Sequence, residues 1–129
     1  MTTHTGGCHC GKVAYSFEGD IGDVIDCNCS LCGKRGGLLH FIPQSAFTLK
    51  TPREALATYH FNTHKLDHHF CTTCGIASFT EGTDPKGNKM VAINVRCVDG
   101  VDPQQLSIRH FDGRKISNPS RTGSPRPAR

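Results

Sequence analysis

"GKVAYSFE", residues 11–18, sets Val13, Tyr15 and Phe17 against Ala14, Ser16 and Glu18, an alternation with a period of two. Successive side chains of a strand point to opposite faces, so this stretch reads as a half-buried strand with its large apolar groups on one side. Similar short runs recur at 23–26, 38–42, 47–50, 57–61, 67–70, 76–80, 90–96 and 106–111, bounded by Gly, Pro, Asn and Asp. Helix is expected only as a turn or two near 30–33 or 52–56. "HFNTHKLDHHF" (60–70) predicts a hairpin turning near 62–65, and "DPKGNK" (84–89) predicts a loop between two strands. The pattern is that of an all-β domain with little helix.

A chain of 129 residues fits one domain. Its 36% apolar content, 14 glycines and lack of Trp make a thin core, the composition that leans on metal or disulfide staples. Eight cysteines could supply either. The N-terminal "MTTHTGGCHCGKVAY" has no basic segment followed by an apolar run, as a secretory signal would. No apolar stretch approaches the roughly 18 residues of a membrane span. These features predict a reducing cytoplasm, where closely spaced cysteines bind metal more often than they form disulfides.

The cysteines fall into "CHC" (Cys8, Cys10), "CNCSLC" (Cys27, Cys29, Cys32), "CTTC" (Cys71, Cys74) and a lone Cys97. The last cysteine of each cluster precedes a glycine: Gly11, Gly33 and Gly75. Glycine tolerates positive φ, which lets the backbone fold around a metal and aim N–H groups at sulfur. Cys8, Cys10, Cys71 and Cys74 form two short chelates that together make a closed, structural four-thiolate zinc site. Cys27, Cys29 and Cys32 either close a second site with Cys97 or leave it open. An open three-thiolate zinc is anionic, which disfavours hydrolysis and favours a soft fourth ligand such as a substrate thiolate. Cys97 reads as a buried thiol, a fourth ligand or a reactive thiol.

Lys34 and Arg35, just beyond Cys32, are candidates to bind a substrate carboxylate, or are solvated charges offsetting an anionic metal site. His60, His64, His68 and His69 read as edge-strand or pocket-wall histidines, with His68 or His69 available to orient a sulfur of the Cys71 cluster.

The formal charge of +4 counts every thiol as neutral. Seven thiolates against two zinc ions remove three units and leave +1, so nucleic acid is not an expected partner. The basic excess lies in residues 114–129, with five Lys or Arg, no acid and three prolines, which predicts a disordered tail behind a zinc-binding β domain at 1–113.

Four segments in this order, "GGCHCGKVAY" (6–15), "CNCSLCGKRGG" (27–37), "HHFCTTCGI" (68–76) and "INVRCVDG" (93–100), resemble the glutathione-dependent formaldehyde-activating enzymes, or S-(hydroxymethyl)glutathione synthases. The resemblance covers roughly 6–113. It implies several small coiled antiparallel sheets around zinc, the β-tent arrangement. It also implies a structural zinc on Cys8, Cys10, Cys71 and Cys74 and a catalytic zinc on Cys27, Cys29 and Cys32, with the substrate thiol as fourth ligand. The implied function is a carbon–sulfur lyase or synthase acting on an adduct of a glutathione-like thiol with a formaldehyde-like aldehyde. Two other readings are a non-catalytic zinc module that binds protein or, through its tail, nucleic acid, and a redox sensor using Cys27, Cys29 and Cys32.

Overall fold

The computed structural model describes residues 2–60 and 66–112. The hairpin turn expected at 62–65, with His64, and the tail expected at 114–129 lie outside these residues. Among the described residues ten strands form two open sheets. In the smaller, β2 (Ala14–Glu18) runs between β1 (Thr3–Gly7) and β5 (Phe47–Leu49), all antiparallel. The larger sheet has the order β10-β3-β4-β9-β8-β7-β6. Its members are β3 (Val24–Cys27), β4 (Leu39–Pro43), β6 (Leu56–Tyr59), β7 (Asp67–Cys71), β8 (Phe79–Thr83), β9 (Lys89–Asn94) and β10 (Ile108–Phe111). All its pairs are antiparallel except β10 with β3, which is parallel.

The sheets pack through the alternating residues of β2. Tyr15 and Phe17 are fully buried and meet Phe47, Phe79, Val91, Ile93 and Ile42. Ring centroids 5.7 Å apart in an edge-on arrangement join Tyr15 to Phe79, and the Tyr15 hydroxyl donates to the Ser78 carbonyl at 3.2 Å. A buried phenol therefore keeps its polar end satisfied while the ring fills the core. A second small cluster, Val24, Leu38 and Val95, anchors β3 to the rest of the large sheet.

Strand β1, "THTGG", was not expected, because it lacks β-branched apolar residues and ends in two glycines. Close approach explains both glycines. A Cβ on Gly7 would lie 2.1 Å from the Val13 carbonyl oxygen, and one on Gly6 would lie 2.6 Å from that of Cys97. Backbone contacts that tight exclude any side chain, so the strand is specified by fit and not by hydrophobic pattern.

The expected helical turns are present with shifted bounds: α1 (Cys32–Arg35) and a 3₁₀ turn at Arg53–Ala55. Gly33 is thus helical, and the expectation of a positive φ there is corrected. The left-handed residue is Gly36, at φ 73°, which ends α1. Gly11 and Gly75 do adopt positive φ, 87° and 80°. The loop at 84–89 joins β8 to β9 as expected, with Asp84 Oδ1 accepting from the N–H groups of Lys86 and Asn88.

Candidate functional site

Cys8, Cys10, Cys71 and Cys74 converge from both sheets, with their four Sγ atoms within 4.8 Å of one another. Cys8 follows β1, Cys10 lies on the turn toward β2, and Cys71 and Cys74 end β7 and its turn. The Cys8–Cys10 and Cys10–Cys71 sulfur separations are both 3.6 Å. Four bonds of about 2.3 Å to a tetrahedral ion place sulfurs about 3.8 Å apart, whereas a disulfide needs about 2.05 Å. The donor set therefore fits a closed four-thiolate metal.

Backbone N–H groups aim at these sulfurs: Val13 at Cys8 (3.3 Å), and Thr73 and Cys74 at Cys71 (3.3 and 3.4 Å). Such donors stabilise thiolate over thiol. The Ile76 N–H is the largest influence holding the Cys74 thiol down, to about 6. Lys12 Nζ, 2.7 Å from Thr72 Oγ1 and 3.2 Å from Thr73 Oγ1, ties the two chelating turns together.

Cys27, Cys29 and Cys32 form a second group with sulfurs again within 4.8 Å. Cys27 ends β3, Cys29 is buried on the following turn, and Cys32 opens α1. The Cys29 N–H donates to Cys27 Sγ (3.4 Å) and the Cys32 N–H to Cys29 Sγ (3.3 Å). Hydrogen bonds from Cys27 and Cys32 pull the Cys29 thiol down to about 2, while the Cys27 thiol is pushed up chiefly by its bond to Cys29 and the Cys32 thiol by its bonds to Cys27 and Cys29. One sulfur ionises readily and the others resist in its presence. A divalent cation would relieve that conflict, so the donor set fits a metal with three protein sulfurs.

Cys97 belongs to neither group. It is half-buried, and burial followed by the charges of Cys8 and Cys74 pushes its thiol up to about 11. Its electrostatic neighbours are in the four-cysteine cluster, so the geometry favours the buried-thiol reading over closure of the three-cysteine site.

Strand alternation decides what surrounds the second group. His69 and Cys71 on β7 face the core, where the His69 ring packs tilted against Phe79 with centroids 5.0 Å apart. His68 and Phe70 therefore occupy the opposite, outer face of the sheet. The Arg35 guanidinium lies 6.0 Å from the Phe70 ring centroid, at cation–π distance. β4, β9 and β8 lie between β3 and β7 in the sheet order, so the Arg35 side chain, and not strand pairing, links the Cys32 turn to Phe70. Both candidate cations are exposed on α1, and Arg35 contacts the sheet at Phe70.

Phe111 and Arg109 pair in register with Cys27 and Ile25, placing them on the same face at the other flank. The sequence reading missed Tyr59, Phe70, Arg109 and Phe111. Only the strand register brings them to the cysteines.

His69 does not orient a sulfur. Its Nε2 donates to Glu81 Oε1 at 2.7 Å, and its Nδ1 pairs with Thr58 Oγ1 at 2.9 Å. Arg53 makes two bonds to the same carboxylate, 2.8 and 3.0 Å. His69 first and Arg53 second hold the Glu81 carboxyl well below the usual range. Asp67 lies beside His69 and Glu81, yet Arg53 already supplies the cation, which makes this a structural network. Glu81→Gln is expected to lower stability by about 2 kcal/mol, since it leaves a buried ion-pair network short of its charge. Denaturant unfolding checks this, and unchanged stability would show the network to be energetically idle.

A family model described as glutathione-dependent formaldehyde-activating enzyme matches residues 3–111. The chain belongs to that family. The match runs from β1 to the end of β10 and includes both cysteine groups, and it ties the chain to glutathione- and formaldehyde-related activity. A crystal structure of a Rhodobacter sphaeroides protein is similar, with 29% identity and a TM-score of 0.71, over 81% of this chain and 99% of the other. Among the described residues no helix is long and apolar enough to cross a membrane.

Proposed function

We propose that this member of the family is a zinc-dependent carbon–sulfur lyase or synthase acting on the adduct of a glutathione-like thiol with a formaldehyde-like aldehyde, with Cys27, Cys29 and Cys32 as the catalytic ligand set. The observation that carries the reading is the contrast between the two groups: four sulfurs in one, three in the other. Zinc, when bound there, supplies an open fourth position that keeps a substrate thiol ionised near neutral pH. In the forward direction the thiol sulfur adds to the carbonyl carbon, the new bond is C–S, and the thiol proton ends on the former carbonyl oxygen. The reverse step breaks that bond and returns the proton to sulfur.

The chain's own part is positioning. The backbone N–H groups of Cys29 and Cys32 fix the ligand sulfurs. Arg35, steadied on Phe70, offers its guanidinium to a carboxylate of the thiol, with Lys34 beside it as a second cation. Addition of a thiol to formaldehyde proceeds unaided at an appreciable rate, so orientation of two reactants is most of what such a site must provide. The four-cysteine group takes the structural role, with a second zinc on Cys8, Cys10, Cys71 and Cys74. The expected compartment is the cytoplasm.

Cobalt substitution followed by glutathione titration tests the proposal. Sulfur-to-cobalt charge transfer is expected to rise saturably as the thiol enters the three-sulfur site, and to stay flat in Cys29→Ser. A spectrum indifferent to glutathione, with both sites already four-sulfur in character, would replace the enzyme with a non-catalytic zinc module.

A further inference from the structure

The outer face of the large sheet carries a row of side chains that formaldehyde and glutathione would leave unused. Strand pairing aligns Phe41 with Ala92, Ala92 with Thr80, Thr80 with His68, and His68 with Tyr59. Paired residues share a face, and this is the face on which Phe70 meets Arg35. Phe41 and Tyr59 are each 48% exposed, whereas Ala92 and His68 between them are 8% and 7% exposed. With strands about 4.8 Å apart, the row spans about 19 Å, with small side chains at Ala92 and Thr80 between two aromatic ends. The row thus sets two half-exposed rings at its ends, with smaller or buried side chains between them.

Arg35, three residues beyond Cys32, reaches this face at Phe70, close to His68 and Tyr59 in the strand register. The Arg35 side chain lies under the influence of both Cys32 and Tyr59, and His68 under that of both Arg35 and Cys29. Formaldehyde brings no side group, and glutathione is polar along its length. Two half-exposed rings beside a reactive centre match a substrate with an apolar portion instead.

We infer that the site takes thiol–aldehyde adducts in which the aldehyde-derived carbon carries a bulky apolar group, seated along the row from Tyr59 toward Phe41. The inference rests on the reading of Cys27, Cys29 and Cys32 as the reacting centre and extends it to a substrate class. The bond changes are those already given: C–S forms or breaks, the proton moves between sulfur and oxygen, and the apolar group is unchanged.

Calorimetric titration of the zinc-loaded full-length protein with S-methylglutathione and S-benzylglutathione tests it, because these stable thioethers stand in for adducts without and with an apolar group. The benzyl compound is expected to bind at least about tenfold tighter, as burial of a phenyl ring predicts. In Tyr59→Ser that ratio should collapse toward one, whereas Phe41→Ser, about 19 Å away at the far end of the row, should keep it; both positions are half-exposed, and a thermal melt checks that each variant folds. Equal affinities in the wild type would overturn the inference while leaving a thiol-adduct site in place. A tenfold ratio that survives in Tyr59→Ser would overturn the assignment to this row. Binding of neither analogue would remove the thiol-adduct reading, and the inference with it.

Discussion

Chelating the zinc proposed for the four-cysteine cluster, or replacing Cys71 with Ser, is expected to unfold the domain and not merely loosen one corner. The cluster joins the two sheets at their shared end: Cys8 and Cys10 flank the β1–β2 turn of the small sheet, and Cys71 and Cys74 close β7 of the large one. Cys71 is 1% exposed and belongs to the main core, against which Cys8 and Cys74 also pack. Structural zinc sites in small modules contribute on the order of 10 kcal/mol to folding. A domain of this size has a net stability of about 5–15 kcal/mol, so losing the metal removes most or all of it. The apolar content of 36% and 14 glycines leave little reserve. Circular dichroism melts with and without a zinc chelator, and of Cys71→Ser, are expected to lose the cooperative transition. A stripped protein that melts like the loaded one would show that the cluster does not hold the fold.

Both cysteine groups were legible in the sequence because chelation is local. Two thiols two or three residues apart beside a glycine constrain the backbone strongly, and Gly11 and Gly75 turn left-handed as that constraint requires. The third glycine failed the analogy because Cys32 begins a helical turn, which moves the left-handed residue to Gly36. Strands with alternating patterns were legible too, Tyr15 and Phe17 above all, since their period reports the buried face directly. The β10–β3 pair was not: parallel pairing between residues some 84 positions apart leaves no local mark, and β10 is exposed throughout. The same reason hid the walls of the three-cysteine site. Phe70 meets Arg35 although three strands lie between β3 and β7 in the sheet order, and Phe111 lies beside Cys27 only through register. His69 was misread for a related reason. Its nearness in sequence to Cys71 pointed at sulfur, but alternation turns it toward Thr58 and Glu81, which use both ring nitrogens.

Cys29→Ser is expected to separate the two clusters by function, with a large loss of activity and a small loss of stability. Cys29 is buried but lies outside both hydrophobic clusters, on the turn between β3 and α1. Its sulfur accepts the Cys32 N–H and bonds to Cys27 and Cys32, so its surroundings are the ligand set itself. A serine hydroxyl is a poor substitute for a soft thiolate, and kcat/KM should fall by about a thousandfold or more, or about 4 kcal/mol of transition-state stabilisation. Because the reaction also proceeds unaided, the rate must be read above the enzyme-free background. Arg35→Ala supplies the contrast: a group that binds the thiol's carboxylate equally in ground and transition states raises KM, by about tenfold, while kcat holds. The decisive comparison is with Cys71→Ser. If Cys29→Ser instead collapsed the melting transition as Cys71→Ser does, both clusters would be structural staples, and the catalytic reading would yield to a zinc-binding module without chemistry of its own. A folded Cys29→Ser variant with no rate above background places the chemistry at the three-sulfur site, since the four-sulfur site remains intact in it.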